Sequence, residues 1–445
     1  MKRKLLVIIV LCQLLPLQVL AIDESIRHYS NPMFGGKIIK PIDSVYAVTV
    51  VSDGSAEQLA IITVGDSTQI IAAQTISLPT NLSLNDICVC SDGSNIYVFA
   101  CGSKRNLTGG PEAWYGRVTV YHSPGYYFFW VDFCYYTLSE LHTALDIEAY
   151  PSPLPSSGID VVLIGHRTVF DEQWGQYSIV RVKDAANATP SHDYEVVRTP
   201  DMNHRLFELT VTDDYVAVVG CKVFDIQPTL GYIRKADTTL AYNNFDLDLP
   251  DYLPGHELRC TTIDGDRMAY AYYSDYYGGH LVVVHCWDVT FSNDYKNFGV
   301  PVDNKVTAPE LALTPQYLTL LFPWDTYSYV PPNMPSVAVV DYNASTSLLP
   351  VSVIYPRDLP SDSWVMSSIA PLGERGFTVA GYRVWMTFDV LGTSSCFEKQ
   401  FATTKLVNAA TAYSPMKYTG TRHTTSSMMS LGRVLGPAAP MIFCR

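Results

Sequence analysis

The chain has 445 residues, with 30 basic against 43 acidic side chains and a formal charge of -13. That balance excludes a nucleic-acid binder, which needs a basic footprint to neutralise phosphates. With 28 Pro, 27 Gly, 30 Tyr and only 16% charged residues, the composition also excludes disorder and fits a compact, loop-rich β protein.

Lys2, Arg3 and Lys4 precede an apolar run from Leu5 to Leu20 that Gln13, Pro16 and Gln18 interrupt. The run is too short and broken for a membrane span, and Val19-Leu20-Ala21 has the small-residue pattern of a cleavage site. A signal peptide over residues 1–21 is expected, and with it a secreted, periplasmic or cell-surface protein with no membrane span after signal removal. The mature chain then carries 27 basic and 43 acidic residues, a formal charge of -16. Nine cysteines remain in it, mostly within apolar strand-like runs where Cys serves as a small buried hydrophobe. Asn81, Asn106, Asn187 and Asn343 lie in Asn-x-Ser/Thr sites in predicted loops.

Residues 22–43, with Asn31-Pro32 and Gly35-Gly36, read as a lead-in, and Lys37-Ile38-Ile39 within them as a candidate closing strand. Hairpins follow. Phe207 to Cys221 is the clearest: two short Val-rich runs flank Asp213-Asp214, too short for helices and rich in strand formers. Comparable units lie at Ile87–Ala100 around Asp92-Gly93 and at Cys260–Tyr272 around Asp264-Gly265. Leu59, Ile96, Val161, Tyr215, Met268, Tyr317 and Phe377 mark the expected second strands, 318 residues from first to last, a mean period of 53. Third runs are expected at Arg117–Tyr121, Tyr177–Val182, Leu281–Cys286, Ser336–Val340 and Arg383–Thr387. Fourth runs are expected at Tyr126–Val131, Tyr194–Val197 and Pro350–Ile354.

Three to four antiparallel strands at this recurrence resemble a β-propeller, in which small sheets bury their faces by stacking around an axis. The resemblance is to an architecture and carries no specific family. It implies an all-β fold of about seven blades over residues 44–400, each mostly of four antiparallel strands. Residues 401–445, rich in Thr, Ser and Ala, could complete the last blade, cross its mouth or form a processing tail. Paired β-sandwiches would also give short strands, but not the recurrence.

In such a meander the loops between second and third strands converge on one face, and here they are aromatic. They place Trp114, Tyr115, Trp174, Tyr276, Tyr277, Trp324, Tyr327 and Tyr329 as candidate ligand-binding residues. The competing reading is packing, since loop aromatics often fold back over neighbouring blades. Asp246, Asp248 and Asp251, and the Asp264-Gly-Asp266 turn, could offer oxygens to calcium, but they lack the spacing of a calcium loop. No metal site or other cofactor is therefore expected.

Enzymatic motifs are missing: there is no Gly-x-Ser-x-Gly elbow, His-Glu-x-x-His or phosphate loop. Asp160, Asp213, Asp264 and Glu374 are acids that could serve a hydrolase or lyase, and ordinary turns explain them equally well. The expected function is a non-catalytic binding protein presenting a loop-rich face to a glycan or extracellular protein. A carbohydrate-active enzyme with acids in the central funnel, and a structural component of an extracellular assembly, are the alternatives.

Overall fold

The computed structural model describes residues 21–28 and 38–391, except for segments within many of the loops. The described strands form seven antiparallel sheets, in chain order from residues 39–77, 82–138, 143–198, 204–246, 259–302, 310–354 and 366–391. Each sheet presents its first strand inward. These inner strands are Ile39–Pro41, Leu82–Ser91, Thr143–Pro151, His204–Val211, Arg259–Ile263, Glu310–Leu313 and Met366–Leu372. Each touches the inner strand of the next sheet, and the last returns to touch Ile39–Pro41, so the sheets close into a ring. This radial arrangement is the β-propeller architecture.

The burial pattern explains why the hairpins stand out in the sequence. Second strands such as Ile96–Lys104, Ile159–Arg167 and Tyr215–Lys222 are buried along nearly their whole length, because neighbouring sheets cover both faces. Continuous apolar runs result. Outer strands such as Cys134–Leu138 and Tyr194–Arg198 are mostly half-buried and read more weakly.

Two expectations need revision. Leu59 lies on the third strand of its sheet, Glu57–Thr63, because the inner strand Ile39–Pro41 precedes the hairpin. Counting instead from Tyr46, which opens that sheet's second strand, the interval to Ile96 becomes 50 residues. Lys37 lies outside the described residues, and Ile39 opens an inner strand rather than closing the ring. That role falls to Ala21–His28, which pairs antiparallel with the outer edge of Val384–Leu391 in the seventh sheet, Ala21 opposite Leu391 and His28 opposite Val384. The fourth position of the last sheet is thus filled from the N-terminal side, and residues 401–445 lie outside the described residues.

Four of the hairpins share a device that the sequence reading missed. Register shifts fall between Leu84 and Asp86, Ala144 and Asp146, Leu206 and Glu208, and Met366 and Ser368, each a one-residue bulge in an inner strand. Gly102, Gly165, Gly220 and Gly381 face these bulges from the second strand. At Gly102 a Cβ would overlap the Ser83 carbonyl, and at Gly165 that of Thr143. Only glycine permits that backbone approach.

Candidate functional site

Two features stand out, one on the rim of the second sheet and one at the ring axis. The rim feature begins with Glu112–Ser123, a 12-residue strand whose end turns through Pro124-Gly125 into Tyr126–Phe129. Gly125 has φ 92, the left-handed conformation this turn needs after proline. Tyr121 faces Phe128 across the hairpin and Ser123 faces Tyr126, while the Trp130 amide donates to the Thr119 carbonyl at 2.9 Å. Alternation therefore puts Tyr121, Tyr126, Phe128 and Trp130 on one face. Their rings touch in sequence: Trp130 to Tyr121 at 5.1 Å, Tyr121 to Phe128 at 5.9 Å and nearly parallel, Phe128 to Tyr126 at 6.0 Å.

Among the described residues this face is open because the strand overhangs its neighbour. Arg117, on the same face as Tyr121, bonds the Ala186 carbonyl just past the third sheet's seven-residue strand Gln176–Val182. Beyond Arg117 the rings project past that cover, and Tyr121, Tyr126 and Trp130 are 38%, 48% and 53% exposed. The opposite face is packed: Phe129 is buried, Tyr127 meets Tyr46 edge-on at 5.1 Å, and the Tyr46 hydroxyl donates to the Gly125 carbonyl at 2.7 Å. The hairpin is thereby clamped against the first sheet while its aromatic side stays free.

At the axis, the free edge of each inner strand exposes backbone N–H groups with no ladder partner. Side chains next to the bulges take them up. Asp86 accepts from the Ile147 amide at 3.3 Å, Asp146 from Leu209 at 2.5 Å, Glu208 from Cys260 at 2.7 Å, and Ser368 Oγ from Ile39 at 3.2 Å. Four of the joints around the ring are stapled this way, so these groups serve the fold first.

This register also places Lys40, Cys88 and Glu148 on one tier of the first three sheets. Lys40 reaches past the small Cys88 to Glu148, Nζ to Oε1 at 3.6 Å. Their side chains keep 31% and 23% of their surface accessible. Burial pushes the Glu148 carboxyl up to about 7, with Lys40 opposing and Asp146 reinforcing. Burial likewise holds Asp86 well above the usual carboxylate range, helped by its hydrogen bond to Asp146 and opposed by Lys40. For Lys40 burial pulls the ammonium down, but Asp86, Glu148 and Asp146 outweigh it and hold it well above its ordinary value.

The predicted ligand residues fare differently. Trp114 and Tyr115 are corrected from loop to core: they lie inside the strand Glu112–Ser123 and are 0% and 1% exposed. The Trp114 indole donates to the Ser83 carbonyl at 3.2 Å and packs on Phe133 and Tyr135, while Tyr115 packs on Tyr136. Trp174, Tyr276, Tyr277, Trp324, Tyr327 and Tyr329 lie outside the described residues. The open aromatic surface that is described belongs to a loop between third and fourth strands, at the opposite end from the predicted face.

Of the acids put forward, Asp160 is buried at the sheet margin, accepting from Ser152 Oγ and the Asp184 amide, and Asp213 sits in a hairpin turn. Asp264 and Glu374, with Asp248, Asp251 and Asp266, lie outside the described residues. Asp246 is held by Lys222 at 2.7 Å. The acids that do converge, Asp86, Asp146 and Glu148, were missed by sequence reasoning.

No protein-family model matches the chain. No curated protein matches it in sequence. Among solved structures it is similar to a catalytically inactive virginiamycin B lyase from Staphylococcus aureus with quinupristin, at TM-score 0.53 and 13% identity over 83% of this chain and 100% of that one. It is more loosely similar to YCF48 bound to D1 peptide, at TM-score 0.46 and 11% identity over 83% and 97% of the two chains. A Trypanosoma rangeli sialidase in complex with 2,3-difluorosialic acid stands at TM-score 0.42 and 10% identity over 66% and 52%. The first bears on fold alone at that identity. The ring of sheets and this likeness agree: the chain is an all-β protein with the β-propeller fold.

Proposed function

We propose that this chain is an exported, seven-bladed propeller that binds a glycan without transforming it, and that the rim platform of Tyr121, Tyr126, Phe128 and Trp130 is where the glycan rests. One observation carries the reading: four touching rings share an uncovered face of a hairpin whose other face is anchored. A pyranose presents an apolar C–H face that stacks on the electron-rich face of an aromatic ring, and the Tyr hydroxyls and indole N–H can meet its hydroxyls. A hairpin clamped before binding loses little entropy on contact. Export is supported by Lys2 to Lys4, the apolar run and Val19-Leu20-Ala21; cleavage after Ala21 would leave Ile22–His28 to close the ring.

Affinity electrophoresis through soluble polysaccharides, backed by a glycan array, tests this. Wild type should be retarded by at least one glycan class, and Trp130→Ala should weaken that binding at least tenfold, about 1.4 kcal/mol. Because Trp130 is 53% exposed, its unfolding midpoint should barely move. Wild type that binds no glycan, or equal binding by Trp130→Ala, would overturn the reading.

The convergence of acids at the axis favours a second reading, a carbohydrate-active hydrolase or lyase. Glu148, held near neutrality and partly accessible, would be its general acid, beside Lys40. Release of reducing sugar or unsaturated product from oligosaccharides by wild type, lost in Glu148→Gln, would establish it. Silence of wild type across glycan classes would dismiss it.

A further inference from the structure

The axial cluster has a property that depends on neither reading of function. Asp86, Asp146 and Glu148 bring three carboxyl groups to one place, Asp146 buried and the other two half-buried, and Lys40 is the cation they share. Two of them also hold sheets together: Asp86 ties the second sheet to the third through the Ile147 amide, and Asp146 ties the third to the fourth through Leu209. Lys40 brings in the first sheet, its Nζ lying 3.6 Å from Glu148 Oε1. Whatever changes the charge of this cluster acts directly on the joints on both sides of the sheet that carries the aromatic platform.

We propose that Lys40, Asp86, Asp146 and Glu148 form a proton-operated latch across the first three sheets, tight when the cluster holds its protons and loosened when it gives them up. The other ionisable groups around it are few among the described residues. On the strand Leu82–Ser91 they are Cys88, Cys90 and, at its end, Asp92; Glu208 stands on the fourth sheet's inner strand and Lys235 near Cys90. Burial pushes the Cys88 thiol well above its ordinary value and Cys90 to about 11, so both are neutral in the relevant range. One cation therefore faces three acids, and full ionisation leaves excess negative charge where water screens poorly.

The direction follows from proton binding. In the unfolded chain Glu148 loses its proton near pH 4.5, the usual carboxylate value, whereas in the folded chain it keeps it to about 7. Between those limits the folded state holds a proton that the unfolded state has released, so stability falls as pH rises through the window. Asp86 is shifted the same way and adds to the fall. Lys40, shifted upward, contributes stability that is whole below its unfolded value and is lost only at strongly alkaline pH, outside this window.

Urea unfolding midpoints measured between about pH 5 and 8 test the latch in wild type, Glu148→Gln and Glu140→Gln. The last removes a charge from the exposed Arg198 pair and controls for the net charge of the molecule. Wild type and Glu140→Gln should lose midpoint steeply across the window, and Glu148→Gln should lose roughly half as much or less. A carboxyl carbon NMR titration of Glu148 in the folded protein, which does not depend on variant stability, should report ionisation near neutrality. Parallel urea profiles for wild type and Glu148→Gln, or a Glu148 titration in the ordinary carboxylate range, would overturn the proposal.

Discussion

Trp114→Ala is expected to lower the unfolding free energy by about 3–5 kcal/mol and to leave glycan binding by the folded fraction unchanged. The indole has no exposed surface, fills the packing between the first two sheets beside Phe133 and Tyr135, and satisfies the Ser83 carbonyl through its N–H. Truncation removes the largest fully buried side chain among the described residues, leaves a cavity and strips that carbonyl of its donor. Trp130 is the same residue type 16 positions on, and its truncation should do the reverse: little to stability, much to binding. Equilibrium urea unfolding of both variants, paired with the glycan assay on each, separates the two roles. A loss below about 1 kcal/mol in Trp114→Ala would mean that the strand Glu112–Ser123 is not packed as described.

That contrast also marks where the sequence was readable. Tryptophans 114 and 130 both stand near glycines and tyrosines, and nothing local separates core from rim. The outcome depends on the neighbouring sheet: the third sheet's strand Gln176–Val182 is shorter and, among the described residues, leaves the end of Glu112–Ser123 uncovered. Strand length differences between sheets distant in sequence are invisible to periodicity. What periodicity did reveal was each doubly covered second strand, because burial on both faces enforces an unbroken apolar run.

The failures have physical causes too. Ile39–Pro41 is three residues long, and reading its start as a closing strand rather than as the first strand of a sheet displaced the first marker to Leu59. Ala21–His28 carries Asp23, Glu24, Arg27 and His28 and lacks a strand's usual composition, although the closing strand needs little more than a backbone edge to pair with. For the axial acids a signal did exist. Asp86, Asp146 and Glu208 each interrupt an apolar inner strand, and a glycine follows at the end of the next strand, at 102, 165 and 220. Acids within apolar runs, repeated in three successive units and each answered by a glycine, point to bulges that aim a carboxylate at the next sheet.

Asp146→Ala should then be the most damaging single change at the axis, costing about 2–5 kcal/mol. Its Oδ1 accepts from the Ile147 amide at 2.8 Å and its Oδ2 from Leu209 at 2.5 Å, in a side chain that is 8% exposed. Alanine orphans the Leu209 N–H on a free strand edge and leaves Ile147 only the longer bond to Asp86, each unmade bond costing about 1–3 kcal/mol. A partial offset comes from Asp86, which loses an acidic neighbour that had crowded its charge. Glu208→Ala removes the corresponding bond to Cys260 at the next joint. Urea unfolding ranks the two, and amide exchange locates the damage: Leu209 should exchange faster in Asp146→Ala, and Cys260 in Glu208→Ala. Equal costs with no local change at Leu209 would show that the sheets are held by apolar packing alone, with the carboxylate staples contributing nothing measurable.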